Sequence, residues 1–380
     1  MSTVKQIYSI VNDVAKMTYG ESAVTVVDTA SFISLGDKVL NSATDTELFT
    51  NKLVDRIGKT VFSVRRYEGM SGGVVRHPFE FGCILQKIYV DLPEAKQNNA
   101  WEIGKEGYTP TYAPVIKPSV KQKLFDKIST WEIDVTIPDF MLRTAFTNET
   151  AMATFIDGIF VALDNMMIVA LDNNADLTRA SFIARKLHGG KPCGAINLLH
   201  EYNTLTNAGL TVDSALRNTE FLKWASMQIN LWVNRMVKMS SLFNEEGYRR
   251  HTPKENLVVN VLQDFASATN TFLQSDTFHN ELTKLPNYET VPYWIGSGKS
   301  YDFNSTSLVD VKLGDEVTIN QTGVIAVAYD FEALGVTMKE RRTTTERNNK
   351  DEYTNYYNKA NIGYFNDMSE NGIVFYLAED

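Results

Sequence analysis

Residues 147–187 have the sequence TNETAMATFIDGIFVALDNMMIVALDNNADLTRASFIARKL, and this stretch decides the fold. Thr147 or Asn148 supplies an N-cap, and a Gly-Gly-Lys-Pro sequence that starts at Gly189 ends the pattern. The spacing predicts one helix, roughly 60 Å long if it is unbroken at about 1.5 Å per residue, which suits a spine for other elements. Its apolar residues recur at the i, i+3, i+4, i+7 positions of an amphipathic helix: Met152, Phe155, Ile156, Ile159, Phe160, Leu163, Met167, Ala170 and Leu171.

The residues after the spine combine helix and strand. A second amphipathic helix is predicted over Thr219–Met239, and NLVVNVLQDF predicts a buried strand at Leu257–Leu262 followed by a helix capped near Asp264. Residues 282–321 are rich in turn residues, with short strands. The remaining sequence is mostly strand-like and closes with the apolar run GIVFYLA (372–378). A helix-rich middle followed by strands predicts the α+β class.

The first 50 residues predict a peripheral arm. Residues 7–17 fit a short amphipathic helix, whereas AVTVVDTASFISLGDKVL (23–40) resembles a mixture of strand and loop. The segment is expected to bury little by itself and to become ordered against another surface. Residues 51–68 then contain a predicted strand, because β-branched and aromatic residues cluster there between glycines.

Residues 69–135 predict a long extended hairpin. One strand is ILQKIYVDL (84–92), and a polar segment with four prolines follows it. A second pair of strands is predicted in VKQKLFDKI (120–128) and TWEIDVTIP (130–138). Because an isolated two-stranded hairpin is marginally stable in water, this one should lie on a neighbouring surface, in the same subunit or in another.

Composition limits the class of protein. The chain has 380 residues, a formal net charge of -9, 43% hydrophobic and 22% charged residues, as in an ordinary globular protein of two interleaved lobes. The acidic balance argues against a protein that neutralises DNA phosphates with a basic face, although a shell that only encloses nucleic acid needs no such face. Cys83 and Cys193 lie outside any CxxC motif, and the sequence has neither an apolar signal core nor a run of about 18 apolar residues. These features predict a reduced protein that is made in a cytoplasm and spans no membrane.

The sequence has none of the common enzyme motifs. It lacks a Walker A, a GxSxG and an HExxH sequence, and no two of its five histidines have the i, i+3 or i+4 spacing of a local zinc site. Asp134 with Asp139, or Glu245 with Glu246, could serve acid–base chemistry, but the second pair resembles a solvated turn. The aromatic segment Tyr353–Phe365 fits a sugar-binding surface or, as we favour, a strand packed on the spine. We therefore predict no catalytic, cofactor-binding or metal-binding residue.

The order of these parts resembles the major capsid protein of tailed bacteriophages, with its Hong Kong 97-like fold. Four phrases are similar to those of capsid subunits from small podophages, and the likeness covers nearly the whole chain. These phrases are TNKLVDRIGKTVF (50–62), ILQKIYVDLPEAKQ (84–97), WEIDVTIPDFMLRTAFTNETAMATFIDGIFVALDN (131–165) and YFNDMSENGIVFYLAED (364–380).

The resemblance implies that each part of the chain has a role in a shell. The arm would lie on a neighbouring subunit, the hairpin would reach over an adjacent one, and the axial domain would converge at the fivefold and quasi-sixfold axes. The implied parts are an N-terminal arm (1–50), a peripheral-domain strand (51–68), the extended hairpin loop (69–135), the peripheral domain with the spine helix (136–254), the axial domain (255–330), peripheral-domain strands (331–365) and a terminal strand that returns to the axial domain (366–380).

The resemblance also implies a function and partners. Copies of the chain would form the pentamers and hexamers of an icosahedral or prolate shell, which encloses dsDNA without reading its sequence. Scaffolding and portal proteins would be further partners, and the protein would be synthesised in the host bacterial cytoplasm and end in the virion. Some relatives crosslink a hairpin lysine to a neighbour's asparagine, but no motif singles out Lys87, Lys96 or Lys105, and we predict no crosslink.

Two alternatives remain open on the sequence. One is an encapsulin-like nanocompartment shell, which shares the fold but packages an enzyme. The other, from a different class, is a soluble hydrolase, which would be a compact monomer with a convergent pocket.

Overall fold

The structure is a computed structural model, and its chain divides into two compact units. Unit 1 takes its residues from 1–80, 128–175 and 336–363, and unit 2 from 81–127, 176–335 and 364–380. The residues that the structure describes are 4–20, 23–42, 44–49, 52–53, 74, 85–90, 120–126, 128–146, 149–189, 194–274, 288–295, 302–314 and 317–379.

The described residues form both helices and strands. The helices are α1 (Val4–Tyr19), α2 (Thr29–Leu40), α3 (Asp139–Ala145), α4 (Glu149–His188), α5 (Leu198–Thr206), α6 (Val212–Ala215), α7 (Thr219–Arg235), α8 (Gln263–Gln274) and α9 (Phe303–Thr306). The strands are β1 (Leu85–Val90), β2 (Val120–Phe125), β3 (Ile128–Pro138), β4 (Ala195–Asn197), β5 (Leu257–Leu262), β6 (Glu289–Val291), β7 (Val309–Leu313), β8 (Val317–Gln321), β9 (Val324–Asp330), β10 (Leu334–Asn348), β11 (Tyr353–Asn366) and β12 (Gly372–Tyr376).

Helix α4 is the predicted spine, and it is continuous over 40 residues. Where its side chains are described, the predicted apolar stripe is confirmed, because Met152, Met167, Ala170 and Leu171 are all buried. Three basic residues in its last turn face the negative end of the helix dipole. The predicted N-caps lie outside the described residues. The amphipathic period therefore identified the longest element of the fold correctly.

The prediction of strand and loop for residues 23–40 is wrong, because Thr29–Leu40 is helical. Asp28 begins the helix with a capping box: its side chain accepts from the Ser31 backbone N–H at 2.8 Å, and the Ser31 hydroxyl lies 3.1 Å from the Asp28 backbone N–H. On the next turn Gly36 lies against Phe146, where an added Cβ would be 2.7 Å from Cδ1 of that ring. The cap and this close approach together explain why the segment folds as a helix.

The expectation that the first 50 residues bury little by themselves is also wrong. Helices α1 and α2 form a hydrophobic cluster with Ala145 and Phe146 at the end of α3 and with Met152 of the spine. The fully buried members include Val11, Phe32 and Phe49, and the rings of Phe32 and Phe49 lie 5.6 and 5.7 Å from that of Phe146. The predicted strand at 51–68 lies almost wholly outside the described residues.

Unit 1 also contains a three-stranded antiparallel sheet in the order β10-β11-β3. Strands β11 and β3 pair from Tyr353 opposite Pro138 to Gly363 opposite Ile128. Alternate residues of β11 are buried, among them Tyr356, which packs with Ile137 and Val135. The aromatic segment Tyr353–Phe365 is thus confirmed as a strand, but its buried tyrosine packs on β3, and the packing on the spine that we favoured stays a prediction.

Unit 2 is built on a five-stranded mixed sheet in the order β4-β12-β9-β5-β6. All seven residues of β9 are buried, as expected for a central strand covered on both faces. The predicted strands Leu257–Leu262 and GIVFY are confirmed as β5 and β12. Neither strand alternates apolar and polar residues, which agrees with their position on either side of β9.

Helix α7 packs in the core of unit 2, together with α5, α8 and the five-stranded sheet. It begins where the sequence predicts, with the Asn218 side chain accepting from the Phe221 backbone N–H at 3.0 Å. It ends at Arg235, before the predicted Met239, because Met236 and the next residues form tighter i→i+3 hydrogen bonds. The expected boundary between 254 and 255 would separate this helix from the sheet on which it packs.

Candidate functional site

The base of the predicted hairpin is a two-stranded antiparallel ribbon formed by β1 and β2. Six residue pairs run from Leu85 opposite Phe125 to Val90 opposite Val120. The long hairpin is therefore confirmed at its base, whereas its polar segment (91–119) lies outside the described residues. Strand β2 pairs with β1 and not with β3, so the predicted pairing of 120–128 with 130–138 is wrong.

One face of this ribbon carries charge and lies on unit 2, to which the ribbon itself belongs. We call it the inward face. The amino group of Lys87 lies 3.3 Å from a carboxylate oxygen of Asp367 and 3.4 Å from one of Glu370, and it donates to the Glu332 backbone carbonyl at 2.6 Å. The Lys123 amino group lies 3.2 Å from the second oxygen of Asp367 and also pairs with Glu246. Two hairpin lysines therefore bind the same buried carboxylate.

Aromatic rings fill the rest of the inward face. The Tyr89 hydroxyl donates to Asp367, and the guanidinium of Arg250 lies 4.4 Å from the centre of the Tyr89 ring. The Lys121 amino group lies 4.4 Å from the centre of the Tyr248 ring. Cation–ring contacts of this kind add about 0.5–2 kcal/mol each, depending on their exposure.

The two acidic side chains that receive the hairpin are deeply buried. The Asp367 side chain is fully inaccessible, and that of Glu370 is 5% exposed. Burial raises the pKa of the Asp367 carboxyl, but hydrogen bonds from Ser369 and Tyr89 and the charge of Lys87 outweigh burial and lower that pKa to about 2. Burial raises the pKa of Glu370, and the cations Lys87 and Arg250 offset it only in part. Asp367 is therefore the anion around which the hairpin base is organised.

The opposite face of the ribbon, the outward face, is exposed, and four of its six side chains are aliphatic. Ile88 is 61% exposed, and Val90, Val120 and Leu124 are 58%, 57% and 56% exposed. Side chains of this kind normally point into a core, whereas here the lysines point inward and the aliphatic side chains point to solvent. The ribbon is a surface suited to burial against another molecule.

A second exposed apolar feature lies in unit 1, where β3 passes into α3. Phe140 is 67% exposed and Met141 is 46% exposed. The residue before them, Asp139, is held by Arg347 through two hydrogen bonds of 2.7 and 3.4 Å, and its backbone N–H donates to the Glu352 carbonyl at 2.9 Å. This ion pair fixes the junction from which the two apolar side chains project.

The carboxylates that the sequence singled out are not brought together as acid–base pairs. Asp139 is bound by Arg347, and Asp134 is exposed on β3. Glu246 pairs with Lys123, in a turn where Gly247 has a φ of +73°. Glu245 and Glu246 thus lie in the predicted turn, and Glu246 takes part in the contacts that hold the hairpin base on unit 2.

The other residues considered from sequence have simple positions where they are described. His188, His200 and His251 are exposed, and within the described ranges no three His, Cys, Asp or Glu residues are grouped to hold a metal ion. Among the helices that the structure describes, none is long and apolar enough to cross a membrane. Lys87 is occupied on the inward face, whereas the other two hairpin lysines considered for crosslinking fall outside the described part of the chain.

Comparisons with known proteins agree on one kind of protein. The family model of the Phi29-like phage major capsid proteins matches residues 9–376. No curated protein sequence matches the chain. A capsid structure of Staphylococcus phage Andhra aligns with a TM-score of 0.50 at 10% identity, over 83% of this chain and 84% of that one. A chain from the structure of the head fiber and inner core protein gp22 of native bacteriophage P68 aligns at 0.51 and 9%, over 80% and 83%. At such low identity the structural likeness shows the fold, which is the α+β, Hong Kong 97-like fold that the sequence predicted.

Proposed function

Since the chain belongs to the family of Phi29-like phage major capsid proteins, we propose that its copies form the pentamers and hexamers of an icosahedral or prolate shell around dsDNA. The chain is a major head protein, a structural component of a phage capsid. The observation that carries the proposed assembly is the outward face of the hairpin base, which presents four aliphatic side chains to solvent on one face of a two-stranded ribbon. Symmetric closure lets one such contact, repeated in every subunit, hold a whole shell together.

In this proposal the outward face lies against an adjacent copy of the chain. Fully burying a Val, Leu or Ile side chain stabilises by about 1.5–3 kcal/mol, so each of these half-exposed side chains contributes about 1 kcal/mol when it is covered. An interface of roughly 4 kcal/mol per hairpin is weak alone and strong in a closed shell. Weak individual contacts also allow a wrongly placed subunit to leave during assembly.

We assign unit 1 to the peripheral domain with the arm, and unit 2 to the axial domain with the hairpin base. The assignment follows the two hydrophobic cores, since α7 shares its core with the five-stranded sheet. It therefore places the domain boundary inside the spine helix and not between 254 and 255. The arm (1–50) and the hairpin (69–135) keep their proposed roles against neighbouring subunits.

The proposed contact with DNA is enclosure. A chain with net charge -9 has no excess of cations to neutralise phosphates, so it is suited to surround nucleic acid without sequence-specific binding. The family and its structural neighbours are structural proteins, and we propose that the chain performs no catalysis. Scaffolding and portal proteins are the further partners, and the virion is the final location after synthesis in the bacterial cytoplasm.

Negative-stain microscopy of the purified chain tests the proposal directly. Closed shells, rings of five or six subunits, or tubes are the expected particles. A protein that stays monomeric at high concentration would contradict shell formation and favour a soluble enzyme. Particles isolated from bacteria that produce the phage should contain DNA. Particles filled with an enzyme would identify a nanocompartment instead.

A further inference from the structure

The seat of the hairpin is a fixed part of unit 2. Asp367 and Glu370 lie in the turn between β11 and β12, which is tied to the rest of unit 2 by backbone hydrogen bonds, among them the one that the Glu245 N–H donates to the Met368 carbonyl at 3.0 Å. Asp367 donates to the Ala333 carbonyl at 2.6 Å, Asp330 donates to the Asn371 carbonyl at 3.0 Å, and Gly372 donates to the Phe243 carbonyl at 2.9 Å. The Ser369 hydroxyl also donates to the Asp367 carboxylate at 2.6 Å. These bonds hold the two acidic side chains in place independently of the hairpin.

The cations that balance these buried charges come mainly from the hairpin. Both amino groups within 3.3 Å of Asp367 belong to it, those of Lys87 on β1 and Lys123 on β2. Glu370 is shared between Lys87 and Arg250, and Arg250 belongs to the body of unit 2. If the hairpin left its seat, the Asp367 carboxylate would lose both cations and the Tyr89 hydroxyl.

Apolar burial at the same interface comes from aromatic rings. The Phe125 ring lies 5.4 Å from that of Phe365, at the end where β2 leaves the ribbon, and the Tyr89 ring, which is 7% exposed, lies 5.9 Å from that of Tyr248. The remaining described inward contacts are ion pairs, hydrogen bonds and cation–ring contacts. The side chains that form the main hydrophobic cluster of unit 2 do not include any from β1 or β2.

From this arrangement we infer that the hairpin base is held by a charge latch, formed by Lys87 and Lys123 on Asp367, which can open while the core of unit 2 stays folded. The Phe125 end is the pivot, and opening lifts the opposite end, so that Tyr89 and Lys121 leave the Tyr248 ring. By holding the inward face, Asp367 also positions the outward face for contact with a neighbouring subunit. This role of Asp367 rests on the proposed shell function. The latch itself does not depend on assembly.

The physical signature of a charge latch is the difference between removing one partner and removing both. Removing one partner of a buried ion pair leaves an uncompensated charge, which strongly favours opening. Neutralising both partners removes that penalty and restores much of the closed state. A lysine that acted only by packing its aliphatic stem would show no such rescue.

Hydrogen exchange with mass spectrometry on the unassembled full-length chain measures the opening. A lifted two-stranded ribbon is marginal in water, so opening the latch exposes the amides of 85–90 and 120–125 to exchange. We expect Lys87→Met to raise exchange there at least tenfold without changing β5, β9 or β12. The double variant with Asp367→Asn should return to within about threefold of the parent chain.

A matched control is Lys359→Met, which removes a lysine from the 3.0 Å pair with Glu132 on the surface of unit 1 and should leave the hairpin unchanged. If Lys87→Met does not fold, Asp367→Asn alone carries the test, because its amide oxygen keeps an acceptor for Tyr89 while both lysines lose the buried carboxylate that they share. Three results would overturn the latch. Exchange in the hairpin could stay unchanged, the five-stranded sheet could open together with the hairpin, or the double variant could exchange as fast as the single one. Shell formation by the parent chain is scored separately, so failure of the latch and failure of the proposed function are distinguishable.

Discussion

The sharpest prediction concerns the valine pair at the open end of the hairpin base. Val90 and Val120 lie opposite each other on the outward face and are 58% and 57% exposed. Replacing both with serine should hardly affect the folded subunit, since neither side chain belongs to a core. In a shell, however, each substitution removes about 1 kcal/mol of apolar burial against the neighbouring copy.

The two losses together are about 2 kcal/mol per subunit contact, which corresponds to a roughly 30-fold weaker association. Sedimentation of the purified chain over a range of concentrations gives the threshold at which particles appear. We expect that threshold to rise by about this factor for Val90→Ser/Val120→Ser. The melting temperature of the unassembled subunit should stay within a degree or two of that of the parent chain.

The matched control uses the same face and the same strands. Gln86 and Gln122 are exposed on the outward face but carry no apolar side chain, and their replacement by serine should leave the threshold within about twofold. An unchanged threshold in the valine variant would refute burial of this face. A fall in the melting temperature that matches the loss of assembly would refute it as well, because the valines would then be part of the subunit's own stability.

Three further predictions concern the folded subunit. Arg347→Met leaves the mostly buried Asp139 carboxylate without its cation and should lower the unfolding free energy of unit 1 by about 2–3 kcal/mol, as measured by chemical denaturation. Arg347→Lys keeps the positive charge and should lower that free energy less. Gly372→Ala would place a Cβ 2.5 Å from the Phe182 ring and should cost about 1–3 kcal/mol, and a companion Phe182→Leu should recover part of this loss. The pKa of Asp367 is lowered to about 2, so its contribution to stability is complete above the ordinary aspartate value of about 3.9 and is lost as the pH falls toward 2. Asp367→Asn should flatten the acid limb of the unfolding curve in that window, and an unchanged limb would show that the carboxylate is not paired in solution.

Some parts of this fold were predictable because their signal is local and repeated. The spine has a 3.6-residue period from Met152 to Leu171, and the strands β5 and β12 are short apolar runs between turns. Residues 23–40 were misjudged because the β-branched run before Asp28 suggests a strand. The cap that starts the helix uses Ser31 where the usual capping box has Glu or Gln. The contact that stabilises it, Gly36 on Phe146, joins residues more than a hundred positions apart and leaves no trace in a short window of sequence.

The pairing of β3 with β11 was unpredictable for a related reason. Thr130 bonds Asn361 at 2.9 Å, and Thr136 bonds Asn355 at 2.8 Å. Both contacts connect residues more than two hundred positions apart, and period-2 alternation shows only that each segment is a strand. A neighbour in sequence, 120–128, was therefore the more natural but incorrect partner for β3.

The charge latch was missed for a different reason, since its alternation was visible in the sequence. Lys87 and Tyr89 alternate with Ile88 and Val90, but the usual rule that apolar residues face inward assigns the faces the wrong way round. In the proposed shell the rule would be satisfied, because a neighbouring copy would cover Ile88 and Val90, while Asp367 gives the lysines a buried partner inside the subunit. The charged face of this ribbon has its partners within the chain, whereas the apolar face has none there. That pattern is expected of a protein that completes its packing by association. It is the physical link between the hairpin sequence and the proposed shell.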